Sequence, residues 1–391
     1  MESSARIRVI GVGGSGKNAI NHMVNSKVKG VDFVVINTDA QDLQQSNARL
    51  KIHIGKNLTR GLGAGMDPTI GKRAAEETQS EIQDALRNSD MVFIAGGMGG
   101  GTCTGAAPIV AKLAKDTGAL TVGVVTKPFS FEGQQRMRLA EQGLEDLRKE
   151  VDALIVIPND RLLAVVDQNT TVRSAFALCD EVLRQAVEGV SDLITTPGNI
   201  NLDFADIKAI MQDAGSALMG VGIAQGDKRA EEAARAAINS PLLDISINGA
   251  KGVLLSIAGG EDLGLLEVQA AAQIVTESID KNAKVIFGTS RDERLKKGEV
   301  RVTVIATGFP EEASVSRGAP LFQLGGKKEK KEEEERSEAP RGKIYNTAMP
   351  PAKDEETVAP VKREEPVLKP KAEDEDDEWA VPAFLRRSKK N

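Results

Sequence analysis

The run Gly96-Gly97-Met98-Gly99-Gly100-Gly101-Thr102-Cys103-Thr104-Gly105 decides how this chain is read. It follows the apolar, strand-like segment MVFIA and precedes a helical pattern that begins near Ala106. Unhindered backbone N–H groups at the positive end of a helix favour phosphate. An earlier loop, Gly11-Val12-Gly13-Gly14-Ser15-Gly16-Lys17-Asn18, stands in the same setting, between the strand IRVIGV and a helical stretch to about Val28. Two such loops on one side of one sheet suit a triphosphate held from two directions.

The first loop by itself is ambiguous. Gly11, Gly13 and Gly16 fit GxGxxG, and Asp39 ends the next strand about twenty residues later, as a dinucleotide-binding Rossmann site requires. The loop nearly fits the P-loop GxxxxGK[ST], but Asn18 replaces the hydroxyl that would hold Mg²⁺. A tight strand-to-helix turn without ligand is the third reading. Taken alone, this loop points to a NAD enzyme, but such a site needs no second glycine loop.

Around these loops, short β-branched runs alternate with amphipathic segments: FVVIN, LTVGVVT, a helix from about Glu132 to Glu150, then ALIVIP. This alternation implies a parallel sheet covered on both faces. From Thr171 to Thr195 one long helix follows, apolar over much of its circumference and therefore buried. A second set of elements comes next: a helix from about Phe204, an Ala/Glu-rich helix from Lys228 to Asn239, and strands GVLLSIA, AKVIFGTS and EVRVTVIATG. From Gly325 the chain turns to KKEKKEEEERSE and scattered Pro, Glu and Lys, which cannot bury enough apolar surface to offset ordering entropy. That segment is expected to be a disordered linker, and the closing WAVPAFLRRSKKN to be a short recognition peptide.

Composition narrows the function classes. With 391 residues, 40% of them hydrophobic, the chain can bury two cores of ordinary domain size. A net charge of −6 argues against nucleic acid or anionic membrane as the main partner of the folded part. Aromatics at 3%, with Trp379 and Tyr345 both beyond the folded region, argue against a base-stacking platform. The cysteines, Cys103 and Cys179, and the histidines, His22 and His53, form no disulfide framework or zinc pattern, so no protein-built metal site is expected. The opening MESSARIRVIGVGG has no signal-peptide form and no apolar span of roughly 18 residues occurs, so a cytoplasmic protein is expected.

The second glycine run closely resembles the GGGTGTG signature of the tubulin and FtsZ family, and other segments agree: NTDAQ (Asn37 to Gln41), GLGAG (Gly61 to Gly65), TKPFSFEG (Thr126 to Gly133), IPND (Ile157 to Asp160) and NLDFAD (Asn201 to Asp206). The resemblance covers roughly Ile7 to Gly308, plus the tail. It implies an α/β fold: a Rossmann-like parallel-sheet GTPase domain (1–170), a long central helix (171–200), a smaller α/β GTPase-activating domain (201–317), a disordered linker (318–375) and a partner-binding peptide (376–391). It further implies GTP/GDP as ligand, with Mg²⁺ held mainly by the nucleotide. Gly14, Ser15, Gly16, Lys17, Asn18, Ala64, Gly65, Gly99, Gly100, Gly101, Thr102, Cys103, Thr104 and Gly105 would contact the phosphates. Glu132 and Arg136 would address the ribose, and Asn159, Phe176 and Asp180 the guanine. Each assignment makes chemical sense: Asp180 can accept from the guanine N1 and N2 donors, Phe176 can stack, and Glu132 can accept ribose hydroxyls. Phe176 also fits the apolar stripe of its helix, so a core role stays open.

Cys103 stands where the family signature has glycine. If the backbone there needs a positive φ, a Cβ costs on the order of 1 kcal/mol, and the thiol would crowd the phosphate. A GTP-binding scaffold with weakened hydrolysis is therefore one alternative, and a NAD-binding Rossmann enzyme the other. A redox role would need a thiolate, which a helix N-terminus favours and bound phosphate opposes.

Asp203 followed by Asp206 reads, from the residues alone, as an N-cap and a first-turn acid. The resemblance instead implies that Asn201, Asp203 and Asp206 reach the nucleotide of a neighbouring subunit and activate water there. Hydrolysis would then require head-to-tail self-assembly, a heterologous contact that gives open filaments. The tail segment Pro382 to Arg387 resembles the peptide by which this family engages membrane-tethering division proteins. Phe384 and Leu385 would anchor, with Arg386 and Arg387 pairing acidic rims, so the protein would work beneath the membrane at mid-cell without inserting into it.

Overall fold

The computed structural model describes residues 5–166, 169–196, 200, 202–243, 247–292 and 295–309. Among the described residues ten strands make one sheet: β1 (Ile7–Val12), β2 (Val31–Asn37), β3 (Leu50–His53), β4 (Met91–Gly97), β5 (Leu120–Lys127), β6 (Ala153–Pro158), β7 (Gly215–Gln225), β8 (Gly252–Gly259), β9 (Lys284–Arg291) and β10 (Glu299–Thr307). Their order is β3-β2-β1-β4-β5-β6-β7-β10-β8-β9. The first seven are parallel, β10 runs antiparallel to both β7 and β8, and β9 returns parallel to β8.

Side chains alternate across this sheet, which is why it carries helices on both faces. On β1, Ile7 and Val9 enter one core, with the helices Gly13–Asn25, Val172–Thr195 and Phe204–Met211. Ile10 and Val12 enter the other, beneath the helices Pro68–Glu77, Gln79–Leu86, Gly101–Asp116 and Gln134–Glu150. A third core lies under the helices Arg229–Ile238 and Leu265–Glu277 in the second half. The two halves share the sheet through a short register, Ala153 with Gly215, Leu154 with Ser216 and Ile155 with Ala217.

The strand order reverses direction between β1 and β4. In open α/β sheets ligands bind in the crevice at such a switch point, outside the carboxyl ends of the strands. Both glycine loops leave the sheet there, one after β1 and the other after β4.

The expected parallel sheet with covered faces and the long helix are both present, but some elements differ from the sequence reading. Residues Gly101–Gly105, read as loop, are already helical. Glycine is required there by contact: a Cβ on Gly105 would lie 1.9 Å from the Pro68 carbonyl oxygen, and one on Gly71 would lie 2.2 Å from that of Gly101. Two helices thus cross backbone to backbone. Strand β7 escapes sequence reading because Gly215, Gly220 and Gly222 dilute its β character. Gly220 and Gly222 make room for the helix Arg229–Ile238, whose Ala237 and Ala233 carbonyls a Cβ would meet at 2.0 and 2.1 Å.

The long helix is bound to the second half by a buried ionic cluster. Glu188, 2% exposed, accepts from Arg184 on its own helix and lies 3.7 Å from Arg301 on β10, which also reaches Asp292 at 2.8 Å. Removing one member of a buried ionic group strands its partners, at about 3–5 kcal/mol. Glu188→Ala is therefore expected to lower unfolding stability by about that much in urea titration. A loss below about 1 kcal/mol would show that the cluster is solvated and not part of the core.

Candidate functional site

At the helix Gly13–Asn25 and again at Gly101–Asp116, the first turn contains no acidic residue and the N-cap side chain makes no capping hydrogen bond. By contrast Asp39, Asp67 and Thr171 cap the helices that follow them. Orphan N–H groups at two neighbouring helix ends are a ready anion site.

Contacts bind the glycine segments into one cradle. The Gly97 N–H donates to Ser15 Oγ at 2.6 Å. Gly13, at φ +73°, backs onto the Cys103 amide, where a Cβ would come within 3.3 Å. A Cβ on Gly101 would sit 2.8 Å from that of buried Ala64, so the GLGAG loop joins the same wall. Gly65, at φ +57°, and Gly100 face open space, with nothing within 4 Å of where a Cβ would stand, as a ligand approaching the backbone requires. Gly16 is also required by packing, since a Cβ there would lie 2.7 Å from the Ala95 carbonyl oxygen. Gly14 and Asn18 are exposed, and Thr102 Oγ1 meets Thr38 Oγ1 at 2.7 Å. Gly99 is fixed by donating to Thr104 Oγ1 at 2.8 Å, and Lys17 is buried with its ammonium 2.5 Å from Asp42.

Cys103 is helical and not strained, and its backbone is not among the positive-φ positions. Its side chain points into the core, with Sγ 3.9 Å from Met98 Sδ and close enough to Gly96 that a Cβ there would lie 2.6 Å from the sulfur. The expected crowding of phosphate by the thiol is thus corrected: helical geometry turns it the other way. Burial also pushes its pKa up to about 12, which removes the thiolate a redox role would need.

The rest of the predicted site follows β5 and β6 or lies on the long helix. Glu132 Oε1 accepts from the Phe129 N–H at 2.9 Å, and its other oxygen is 3.1 Å from Arg136. Phe176 is 41% exposed, so it is no core residue. Its ring meets Phe129 edge-on at 5.4 Å, and Phe129 stacks on Phe131 at 5.0 Å. Among the described residues three buried side-chain polar atoms lack a hydrogen-bond partner, and two of them, Arg136 Nε and Asn159 Oδ1, are here. Each such atom costs about 1–3 kcal/mol unless a ligand satisfies it. Burial pushes the Asp180 pKa up to about 6, against the pull of nearby His22 and Lys17. Next to it, Glu181 is held down to about 2, where hydrogen bonds from Arg184 and His22 overcome the effect of burial.

Sequence reasoning missed Phe129 and Phe131, whose spacing in FSF is the visible signal, and Asp42, whose role depends on a fold-level contact with Lys17. The acidic loop is not part of this constellation. Asp203 caps the helix Phe204–Met211, accepting from the Asp206 N–H at 2.9 Å, as the local reading had it. Leu202 and Leu193 both flank Gly288, where a Cβ would lie 3.1 and 3.0 Å from them, so the loop sits beside the far end of the long helix. At 1.5 Å per residue, the distance along the helix from Asp180 to Leu193 is about 20 Å. Asn201 and the tail residues Pro382, Phe384, Leu385, Arg386 and Arg387 lie outside the described residues. Among the described residues no cluster of three His, Cys, Asp or Glu could hold a metal, and no helix is long and apolar enough to cross a membrane.

Comparison with known proteins places the chain in a family. Residues 6–167 match the GTPase domain of the Tubulin/FtsZ family, and residues 215–310 match the C-terminal domain of the FtsZ family. An FtsZ from M. jannaschii, solved as an empty dimer, is 49% identical, covers 79% of this chain and 89% of its own, and superposes with a TM-score of 0.76. Two Haloferax volcanii proteins share the fold at lower identity. CetZ1, solved as a GDP-bound monomer, is 22% identical over 78% of this chain and 95% of its own, with TM-score 0.69. CetZ2, solved as a GTPγS-bound protofilament, is 23% identical over 79% and 95%, with TM-score 0.67.

The inward-facing thiol makes a prediction of its own. Cys103→Gly loses sulfur burial and adds helix flexibility, together about 1–2 kcal/mol of stability. Nucleotide affinity should change less than about twofold in a titration with a fluorescent GDP analogue, and a gain of tenfold would restore the crowding account.

Proposed function

This chain belongs to the FtsZ family, the filament-forming GTPases of cell division, and from that premise we propose how its own residues divide the work. The two uncapped helix ends, with Gly14, Ser15, Gly16, Gly65 and Gly99 to Gly105, receive the phosphates of GTP. Lys17, neutralised by Asp42, and Asn18 border them. Arg136 and Glu132 take the ribose. Asn159 and Asp180 read the guanine edge while Phe176, supported by Phe129, covers its face. Asp180 must be ionised to accept from the guanine N1 and N2 donors.

Hydrolysis requires a water in line with the γ-phosphate and a group to orient it. Asp203 and Asp206 fill that role, with Asn201 beside them, and they act on the nucleotide of the next subunit. The observation that carries this reading is the placement of Leu202 beside Leu193, at the end of the helix remote from Asp180. A head-to-tail contact brings one subunit's acidic loop over its neighbour's phosphates, excludes bulk water and repeats indefinitely. Among the described residues the donor set builds no metal cage, so Mg²⁺ would be held by phosphate oxygens and water, supplying charge neutralisation. The C-terminal peptide around Phe384 and Leu385 ties the filament to membrane-tethering division proteins beneath the membrane at mid-cell.

Two measurements test this division. Asp206→Ala should bind GTP normally and hydrolyse it about 10²-fold or more slowly, and mixing it with an Asp180→Ala partner that cannot hold GTP should restore part of the turnover. The mixture succeeds only if acid and nucleotide come from different chains. Full turnover by dilute, unassembled protein would overturn the reading. The second is a pH titration of GDP affinity. Because the folded Asp180 pKa is raised to about 6, the accepting carboxylate is present above that value and lost below it. Affinity should be level above pH 6 and fall up to about tenfold per unit below, while Asp180→Asn binds weakly with a flatter profile. A wild-type profile level down to pH 4.5 would remove Asp180 from the base site.

A further inference from the structure

A cavity of about 310 Å³ opens on the face of the sheet away from the long helix, between the helices Pro68–Glu77, Gly101–Asp116 and Gln134–Glu150. Its floor is Gly105, Pro108 and Ile109, and Leu139 and Gly143 form the facing wall. Thr69, Gln142, the Asp146–Lys149 pair and Glu150 add polar groups to this lining, and two further features bear on what it could hold. Pro108 lies inside its helix and has no N–H to give the carbonyl of Thr104, four residues earlier. That carbonyl faces Gly143, where a Cβ would lie 3.3 Å from the oxygen. At the rim, Lys72 and Lys112 are exposed and, among the described residues, have no ion-pair partner, whereas Lys149 is 3.2 Å from Asp146.

We propose that this cavity is a second ligand site, for a small amphipathic acid with a hydrogen-bond donor on its apolar body. The apolar part lies on Pro108, Ile109 and Leu139, the donor meets the carbonyl of Thr104, and the acidic group lies between Lys72 and Lys112. Removing a flat apolar body from water supplies the affinity, and the lysines, with the carbonyl that Pro108 deprives of its usual helical donor, fix its orientation. Each wall is also an arm of the nucleotide site. Thr104 holds the Gly99 N–H, the helix with Arg136 forms one side, and the helix after the GLGAG loop forms the other. A ligand wedged here biases the spacing of the phosphate loops. Binding stands independently of the nucleotide assignments above, whereas regulation rests on them.

The test uses the full chain and 6-hydroxy-2-naphthoate, a fluorescent acid with this donor pattern. Saturable binding at one site per chain is expected, with Kd on the order of 0.1–1 mM for so small a ligand. Lys72→Glu with Lys112→Glu should weaken it about tenfold, and Ile109→Trp, which fills the floor, should abolish it. Both variants should keep the wild-type affinity for GDP, which shows that the nucleotide site is folded. Saturating probe should shift GDP affinity about fivefold. Absence of saturable binding, or binding that GDP displaces competitively and the lysine changes leave intact, overturns the site. Binding that responds to the variants while GDP affinity stays constant upholds the site and overturns its regulatory role. GDP contacts that fail on their own variants, with probe binding intact, would fault the nucleotide reading alone.

Discussion

The helix Val172–Thr195 is the constraint on which the rest of the molecule depends. Its first turns carry Asp180 and Phe176, which meets Phe129, and its last lie beside the acidic loop through Leu193 and Leu202. A helix has a fixed rise, so no rotamer change brings these ends together. On the proposed reading, a chain with an acid at one end and a nucleotide at the other completes its neighbour's reaction and not its own, which would make assembly a condition of turnover.

The nucleotide end is left energetically incomplete in the protein by itself. Two helix N-termini lack caps, and Arg136 Nε and Asn159 Oδ1 are buried without partners. Asp180 adds a third deficit. Its folded pKa, about 6, exceeds that of an exposed carboxylate, so ionising it costs stability at neutral pH and the cost disappears only below the unfolded value. On the proposed reading, one ligand that brings anionic oxygens, ribose hydroxyls and ring N–H donors would remove all three. Their coincidence beyond the carboxyl ends of neighbouring strands is stronger evidence for a site than any one of them, because isolated unsatisfied groups also occur as tolerated defects.

Much of this was legible in the sequence, for identifiable reasons. The glycine loops could be found because phosphate binding and close helix packing both demand glycine, and the strands beside them are uniformly apolar. What could not be read was which demand each glycine met. Gly105, read as a phosphate contact, is also the point where two helices cross; Gly220 and Gly222 hid a strand by making room for a helix. Cys103 looked like an intrusion because a linear motif does not say which way a side chain turns, and one helical turn sends its sulfur to Met98. Asp203 shows the reverse case. Its local role as an N-cap was plain, and its remoteness from the nucleotide became visible only when Leu202 was placed against Gly288.

A strut with the first glycine-loop helix packed at one end and the acidic loop beside the other must also keep its register. Apolar packing alone permits a helix to slide by small repacking steps, because many apolar contacts are nearly interchangeable. The cluster of Arg184, Glu188, Arg301 and Asp292 is not interchangeable in this way: a shift of one turn would leave buried charges facing apolar side chains. Buried ion pairs add little net stability, so their value here lies in geometry. They fix the far end of the helix to β10, in the half of the chain that carries the acidic loop, while Glu181, bonded to His22, fixes the near end to the first phosphate-loop helix. Each end of the strut is thereby tied to a different element, and the distance between them is set by the helix itself.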